Sequence, residues 1–165
     1  MRLFWILGIL TLLLIARPAH ARTVTGYSHG QKTRIQLVSV SGVELEAATA
    51  RAFRTMAKAA AKSGIDIAIR SGFRSHEKQK ELYRDYKRGW GHLAARPGYS
   101  NHQSGKALDI YITDYRVYEW LKGHAAKYGF KRTVRREAWH WEYVGVSSRL
   151  REARSQTART ASRHR

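Results

Sequence analysis

Residues 107–112, ALDIYI, read as a short strand made for burial, yet a carboxylate, Asp109, stands among its apolar residues. Burying a charge without a partner is costly, so the fold must either bring Asp109 a partner or put it to chemical use. Seven residues earlier, His102 follows the turn residues Ser100 and Asn101 in SNHQSGKALDI. Gly105 stands between them, a residue at which the backbone can bend.

The segments around this strand alternate between helical and extended patterns. RTVTGYSHGQKT is a polar, glycine-containing lead-in, and RIQLVSV alternates as a short strand. SGVELEAATARAFRTMAKAAAKSG then predicts a helix capped by Ser41 and ended at Gly64, with Val43, Leu45, Phe53, Met56 and Ala60 as core positions. IDIAIR predicts a strand. HEKQKELYRDYKRG predicts a helix capped by Ser75 and stopped by Gly89, with Leu82, Tyr83 and Tyr86 turned to the core. WGHLAARPGYSN is loop, and a third helix is expected from about Asp114 to Tyr128. WHWEYVG closes the pattern, with His140, Glu142 and Val144 on one face and Trp139, Trp141 and Tyr143 on the other. Interleaved helices and short strands without internal repeats predict a small α+β domain, its helices packed on a mostly antiparallel sheet.

At 165 residues the chain has room for one core and, by expectation, one site. Residues 1–21 have a basic start, an apolar run from Leu3 to Ile15, and an Ala-His-Ala end. That run is short of the roughly 20 residues a membrane-crossing helix needs, so a cleaved secretory leader is expected rather than an anchor. The domain then spans residues 22–148. No cysteine is present, so neither disulfides nor thiolates contribute, and any metal must be held by His, Asp or Glu. The net charge is +19, or +17 once Arg2 and Arg17 leave with the leader. Such a field suits a polyanionic neighbour or serves plain solubility. An exported chain meets anionic cell-envelope polymers far more than nucleic acid, so no nucleic-acid partner is expected. The last residues, 149–165, carry six arginines and one glutamate and predict a disordered basic tail.

His102, Asp109, Glu137 and His140 are the polar residues that make a chemical set. Two histidines and an aspartate supply the three ligands of an open catalytic metal site. Glu137, three residues before His140 in EAWH, is placed to exchange a proton with water at such a metal. Each has a plainer use when taken singly. Asp109 caps a neighbouring backbone, Glu137 pairs with Arg135 or Arg136, and a lone histidine packs or faces solvent, as His20, His29, His76, His92, His124 and His164 are expected to do.

The segments SGFRSHEKQKELY, SNHQSGKALDI, HAAKYGF and EAWHWEYVG, in this order and over roughly Ile35 to Gly145, resemble the zinc D-alanyl-D-alanine carboxypeptidases of the VanY type. The resemblance implies a hedgehog/DD-peptidase-like fold, one zinc ion held by His102, Asp109 and His140, and Glu137 as catalytic base. It also implies that Arg74 faces the substrate and acts in catalysis, and that Gln79, one helix turn on, belongs to the same region. A guanidinium suits that place because its fork clasps a terminal carboxylate or a developing oxyanion. Ser71 and Ser100 flank the same loops, with Ser100 the preferred substrate hydrogen-bond donor. The chain departs from the family at Ala138, where proline is frequent, at Asn101, where an acidic residue is frequent, and in its short KRTVRR link. These differences bear on the cleft and leave every ligand in place.

The resulting expectation is an exported enzyme of the periplasm or cell wall. It hydrolyses the terminal D-alanine of peptidoglycan stem peptides with water activated by the metal. An L,D-carboxypeptidase or endopeptidase with the same chemistry remains an alternative. A non-catalytic wall-binding module is the alternative of another kind, against which the presence of Glu137 speaks.

Overall fold

The computed structural model describes residues 21–146, so the expected leader, apart from Ala21, and the basic tail lie outside the described residues. The chain begins with an antiparallel meander, β1 (Arg22–Ser28), β2 (Gln31–Val40) and β3 (Val43–Glu46). Ser28 pairs with Gln31 and Val40 with Val43, which leaves His29-Gly30 and Ser41-Gly42 as two-residue loops. All four loop residues have positive φ, the type I′ geometry whose twist matches that of the flanking strands. The expected polar lead-in is therefore a strand. Its one buried residue is Gly26, where a Cβ would sit 2.7 Å from the Gln103 carbonyl oxygen, so β1 offers no apolar alternation to read.

Ser41 is likewise a turn residue and not a helix cap. Helix α1 (Ala47–Lys62) starts after β3, and Glu46 caps it by accepting hydrogen bonds from the Ala48 and Thr49 amides at 3.0 Å. Leu45 is a core residue as expected, but from a strand. Thr49, Phe53, Met56 and Ala60 form the buried helical stripe.

The second sheet has the order β4-β5-β7-β6, built from β4 (Ile69–Ser71), β5 (Ala107–Ile110), β7 (His140–Tyr143) and β6 (Phe130–Lys131). Every pairing in it is antiparallel. Between β4 and β5 runs α2 (His76–Lys87), with Ser75 as its cap as expected. Its buried residue is Gln79; Leu82 and Tyr83 are half-buried, and Tyr86 is exposed, contrary to its expected core position. Helix α3 (Tyr115–His124) is capped by Asp114, and residues 125–128 tighten into a 3₁₀ turn that ends at Gly129. Leu108, Ile110, Leu121 and Phe130 are almost wholly buried in one cluster with Phe53 and Met56. Each contributes about 1.5–3 kcal/mol through burial. This is the expected α+β architecture, with the core on one face of the second sheet and the polar residues of β5 and β7 on the other. Among the described residues no helix is long and apolar enough to cross a membrane.

Candidate metal centre

Strand register assembles half of the site. Ser71 of β4 stands opposite Asp109 of β5, which stands opposite His140 of β7. Side chains alternate along strands. Leu108, and Trp141 opposite it, enter the core. Asp109 and His140 therefore share the other face, and both are buried there.

His102 arrives from a 3₁₀ turn, Asn101–Ser104, that closes on Gly105 at φ 70°. A Cβ on Gly105 would lie 2.8 Å from the Glu46 nitrogen, and that N–H donates to the Gly105 carbonyl at 3.0 Å. Both the conformation and the close approach therefore require glycine. The turn carries His102 over Asp109, with Nε2 3.6 Å from Asp109 Oδ1.

The outer nitrogens of the histidines decide which inner ones are free. His102 Nδ1 lies 2.7 Å from the Gly72 carbonyl oxygen, which only accepts, so Nδ1 carries the proton and Nε2 faces inward. His140 is turned the other way. Its Nε2 is 3.0 Å from Glu142 Oε1, and its Nδ1 is 3.2 Å from Asp109 Oδ1. With the proton on Nε2, the Nδ1 lone pair joins His102 Nε2 and an Asp109 oxygen. One donor atom from each of the three residues lies within 4.8 Å of the others. Ligand atoms about 2.0–2.2 Å from a tetrahedral zinc lie about 3.3–3.6 Å apart, close to the 3.6 and 3.2 Å between Asp109 Oδ1 and the two histidine nitrogens, so the donor types and these spacings suit one such ion.

Charge around the triad is balanced. Burial alone would raise the Asp109 carboxyl, but His102, His140 and the Ser71 hydroxyl outweigh it and hold the group well below the usual carboxylate range. Ser71 Oγ donates to Asp109 Oδ2 at 2.5 Å, which leaves Oδ1 toward the histidines. Burial opposes a charge on His140, yet the Asp109 and Glu142 carboxylates raise its pKa to about 9. Glu142 is held at about 2, its burial offset by His140, Thr133 and Asn101.

Of the other expected residues, Glu137 and Arg74 lie near this centre. Glu137 is half-buried, with Oε2 3.9 Å from His140 Nδ1. Arg74 is also half-buried, and burial lowers its pKa against the pull of Asp109 and Glu137. Its Nη1 donates to Gln79 Oε1 at 3.1 Å. Gln79 has no exposed surface and uses its amide nitrogen on the Ala95 carbonyl at 2.7 Å, so its reach beyond the protein runs through Arg74. Ser100 is buried at the start of the 3₁₀ turn, and its hydroxyl caps none of that turn's amides.

Two residues have roles the sequence does not specify. Of the two serines that flank these loops, Ser71, not the preferred Ser100, is the one bonded to Asp109. Glu142 shares the strand face of His140 as expected, and that two-residue spacing is the signal for its bond to the ring. Trp139 is a partly exposed wall beneath the Arg70 guanidinium, 5.5 Å from its ring centre, while Trp141 belongs to the core.

Residues 42–146 match the family model described as VanY, D-alanyl-D-alanine carboxypeptidase. A D-alanyl-D-alanine carboxypeptidase of Enterococcus faecalis (strain ATCC 700802 / V583) is 32% identical over 119 residues, which cover 54% of this chain and 44% of the relative. The chain thus spans less than half the length of that relative. The structure is similar to the vancomycin-resistance D,D-pentapeptidase VanY of the VanB-type cassette in complex with Zn(II), with a TM-score of 0.58 and 27% identity over 68% of this chain and 80% of that one. It is also similar to the LdcB LD-carboxypeptidase, with a TM-score of 0.56 and 27% identity over 69% of this chain and 65% of that one.

Proposed function

The chain belongs to the VanY family of D-alanyl-D-alanine carboxypeptidases, and from that premise we propose that it is an exported zinc peptidase removing the terminal D-alanine of peptidoglycan stem peptides. The observation that carries this reading is the convergence of His102 Nε2, Asp109 and His140 Nδ1, each histidine held by a hydrogen bond on its other nitrogen, with Glu137 beside them. A zinc ion held by those three residues supplies a Lewis acid for the scissile carbonyl and brings the pKa of a water molecule towards neutrality.

The protein's own groups do the rest. Glu137, at the rim of the triad, takes a proton from the attacking water and returns it to the leaving amine. Arg74 offers its fork to the terminal carboxylate of the peptide or to the oxyanion that forms on the attacked carbonyl. Gln79 positions Arg74, because a buried amide oxygen bonded to Nη1 restricts the guanidinium plane. Ser100, two residues before His102 and capping no amide of the turn, offers its hydroxyl to a substrate peptide group. The excess of positive charge favours an anionic wall.

An L,D-carboxypeptidase is the second reading, supported by the likeness to LdcB. Both readings use the same residues and differ in the bond presented to them. The test of the shared chemistry is D-alanine release from a stem pentapeptide by the zinc-loaded chain and by Glu137→Ala. The expected result is turnover by the parent and a loss of about 10²–10⁴-fold in the variant, the span general acid–base catalysis contributes. Equal rates would remove Glu137 from the mechanism.

A further inference from the structure

Glu142 joins three segments of the site. Its Oε1 accepts hydrogen bonds from His140 Nε2 at 3.0 Å and from Thr133 Oγ1 at 2.5 Å. The Asn101 side chain is near enough to the same carboxylate to help hold its pKa down. Thr133 lies in the loop between β6 and β7 that carries Glu137, and Asn101 immediately precedes His102. One half-buried carboxylate therefore bonds to His140 and to the loop of Glu137, with the residue next to His102 nearby.

We propose that Glu142 is a positioning residue that holds the His140 proton on Nε2 and so turns the Nδ1 lone pair towards Asp109 and His102. This rests on the metal reading above and assigns the device that presents one of its ligands. Two carboxylates compete for the single N–H of a neutral His140, with Asp109 Oδ1 3.2 Å from Nδ1 and Glu142 Oε1 3.0 Å from Nε2. If Asp109 wins, a proton fills the position a metal needs. If Glu142 wins, the position is open and the ring is also more basic towards a metal. Thr133 sets the outcome, because its hydroxyl holds Glu142 on the Nε2 side, and the nearby Asn101 amide favours the charged carboxylate there. An acidic side chain at 101 would instead set a second carboxylate against Glu142 and push it away.

The experiment measures zinc affinity of the full chain by competition with a chelator, together with nitrogen NMR of His140 in alkaline, metal-free buffer where the imidazole is neutral. Glu142→Leu is expected to bind zinc about 10–100-fold more weakly and to move the ring proton to Nδ1. Asn101→Asp is expected to lose affinity as well. The double variant Asn101→Asp/Glu142→Gln is expected to regain most of it, because the new amide donates to Asp while its oxygen still accepts from His140. A purely structural role for Glu142 predicts no such rescue. Parental zinc affinity in Glu142→Leu with the proton still on Nε2 overturns the proposal, as does a double variant no tighter than Asn101→Asp. A parent chain that binds zinc by this network but hydrolyses no stem peptide sinks the peptidase reading and leaves the proposal standing. A parent chain that binds no zinc sinks both.

Discussion

Replacing Ser71 by alanine removes one contact from the carboxylate on which the site depends. Ser71 Oγ donates to Asp109 Oδ2, and the acceptor is charged and almost fully buried. Hydrogen bonds to charged groups contribute about 1.5–3 kcal/mol. Arg70 lies 3.8 Å from the same oxygen on a side chain 47% exposed, so it has room to approach and recover part of the loss. The expected cost is therefore at the lower end, about 1.5–2 kcal/mol, or roughly 6–8 °C in Tm for a domain of this size. Urea unfolding in excess chelator measures it without a metal masking the effect. The same substitution in an Asp109→Asn background should cost much less, because the neutral amide neither demands nor rewards the donor to the same degree. A cost under about 0.5 kcal/mol, or an equal cost in both backgrounds, would refute the claim that Ser71 acts through the Asp109 charge.

Gln79→Leu preserves volume but takes the acceptor from Arg74. It is expected to raise KM for a stem peptide about tenfold with kcat and zinc affinity little changed, and an unchanged KM would separate Gln79 from substrate binding. In the metal-free chain His140 has a folded pKa of about 9 against 6.5 unfolded. A group with its pKa raised on folding adds stability that is fully present below 6.5 and fades as pH rises through 9. The fall is about 3 kcal/mol. Unfolding free energy against pH should show that decline in chelator and lose it with zinc, whereas a flat metal-free profile over the same range would contradict the assignment. On the acid side, Asp109 and Glu142 have lowered pKa values, so their contribution is fully present above about 4.5 and is lost progressively as pH falls from there through their lowered folded values.

The central residues were legible in the sequence because their chemistry is local. A carboxylate in an apolar strand, a histidine ahead of a turn glycine, and a Glu-x-x-His at a strand entry each announce themselves. What was not legible depends on neighbours distant along the chain. Ser71 meets Asp109 across a strand pair. Gln79 is expected in the site region through the family resemblance, but its burial on a largely polar helix, bonded to Arg74 and the Ala95 carbonyl, is not. Glu142 shares a face with His140 by simple alternation, but the Thr133 hydroxyl, from a loop nine residues earlier, gives that position its meaning. Among the elements, β1 hid because its buried residue is a glycine. The start of α1 was misplaced because a strand ends on a glutamate whose carboxylate also caps the helix, leaving Ser41 to the turn.

The most direct test of the account is mass spectrometry of muropeptides digested by the zinc-loaded chain, with Glu137→Ala as control. The account predicts stem pentapeptides shortened by one alanine residue, only with metal and only with Glu137 present. Unchanged stems, or the same products from the Glu137→Ala variant, would contradict it.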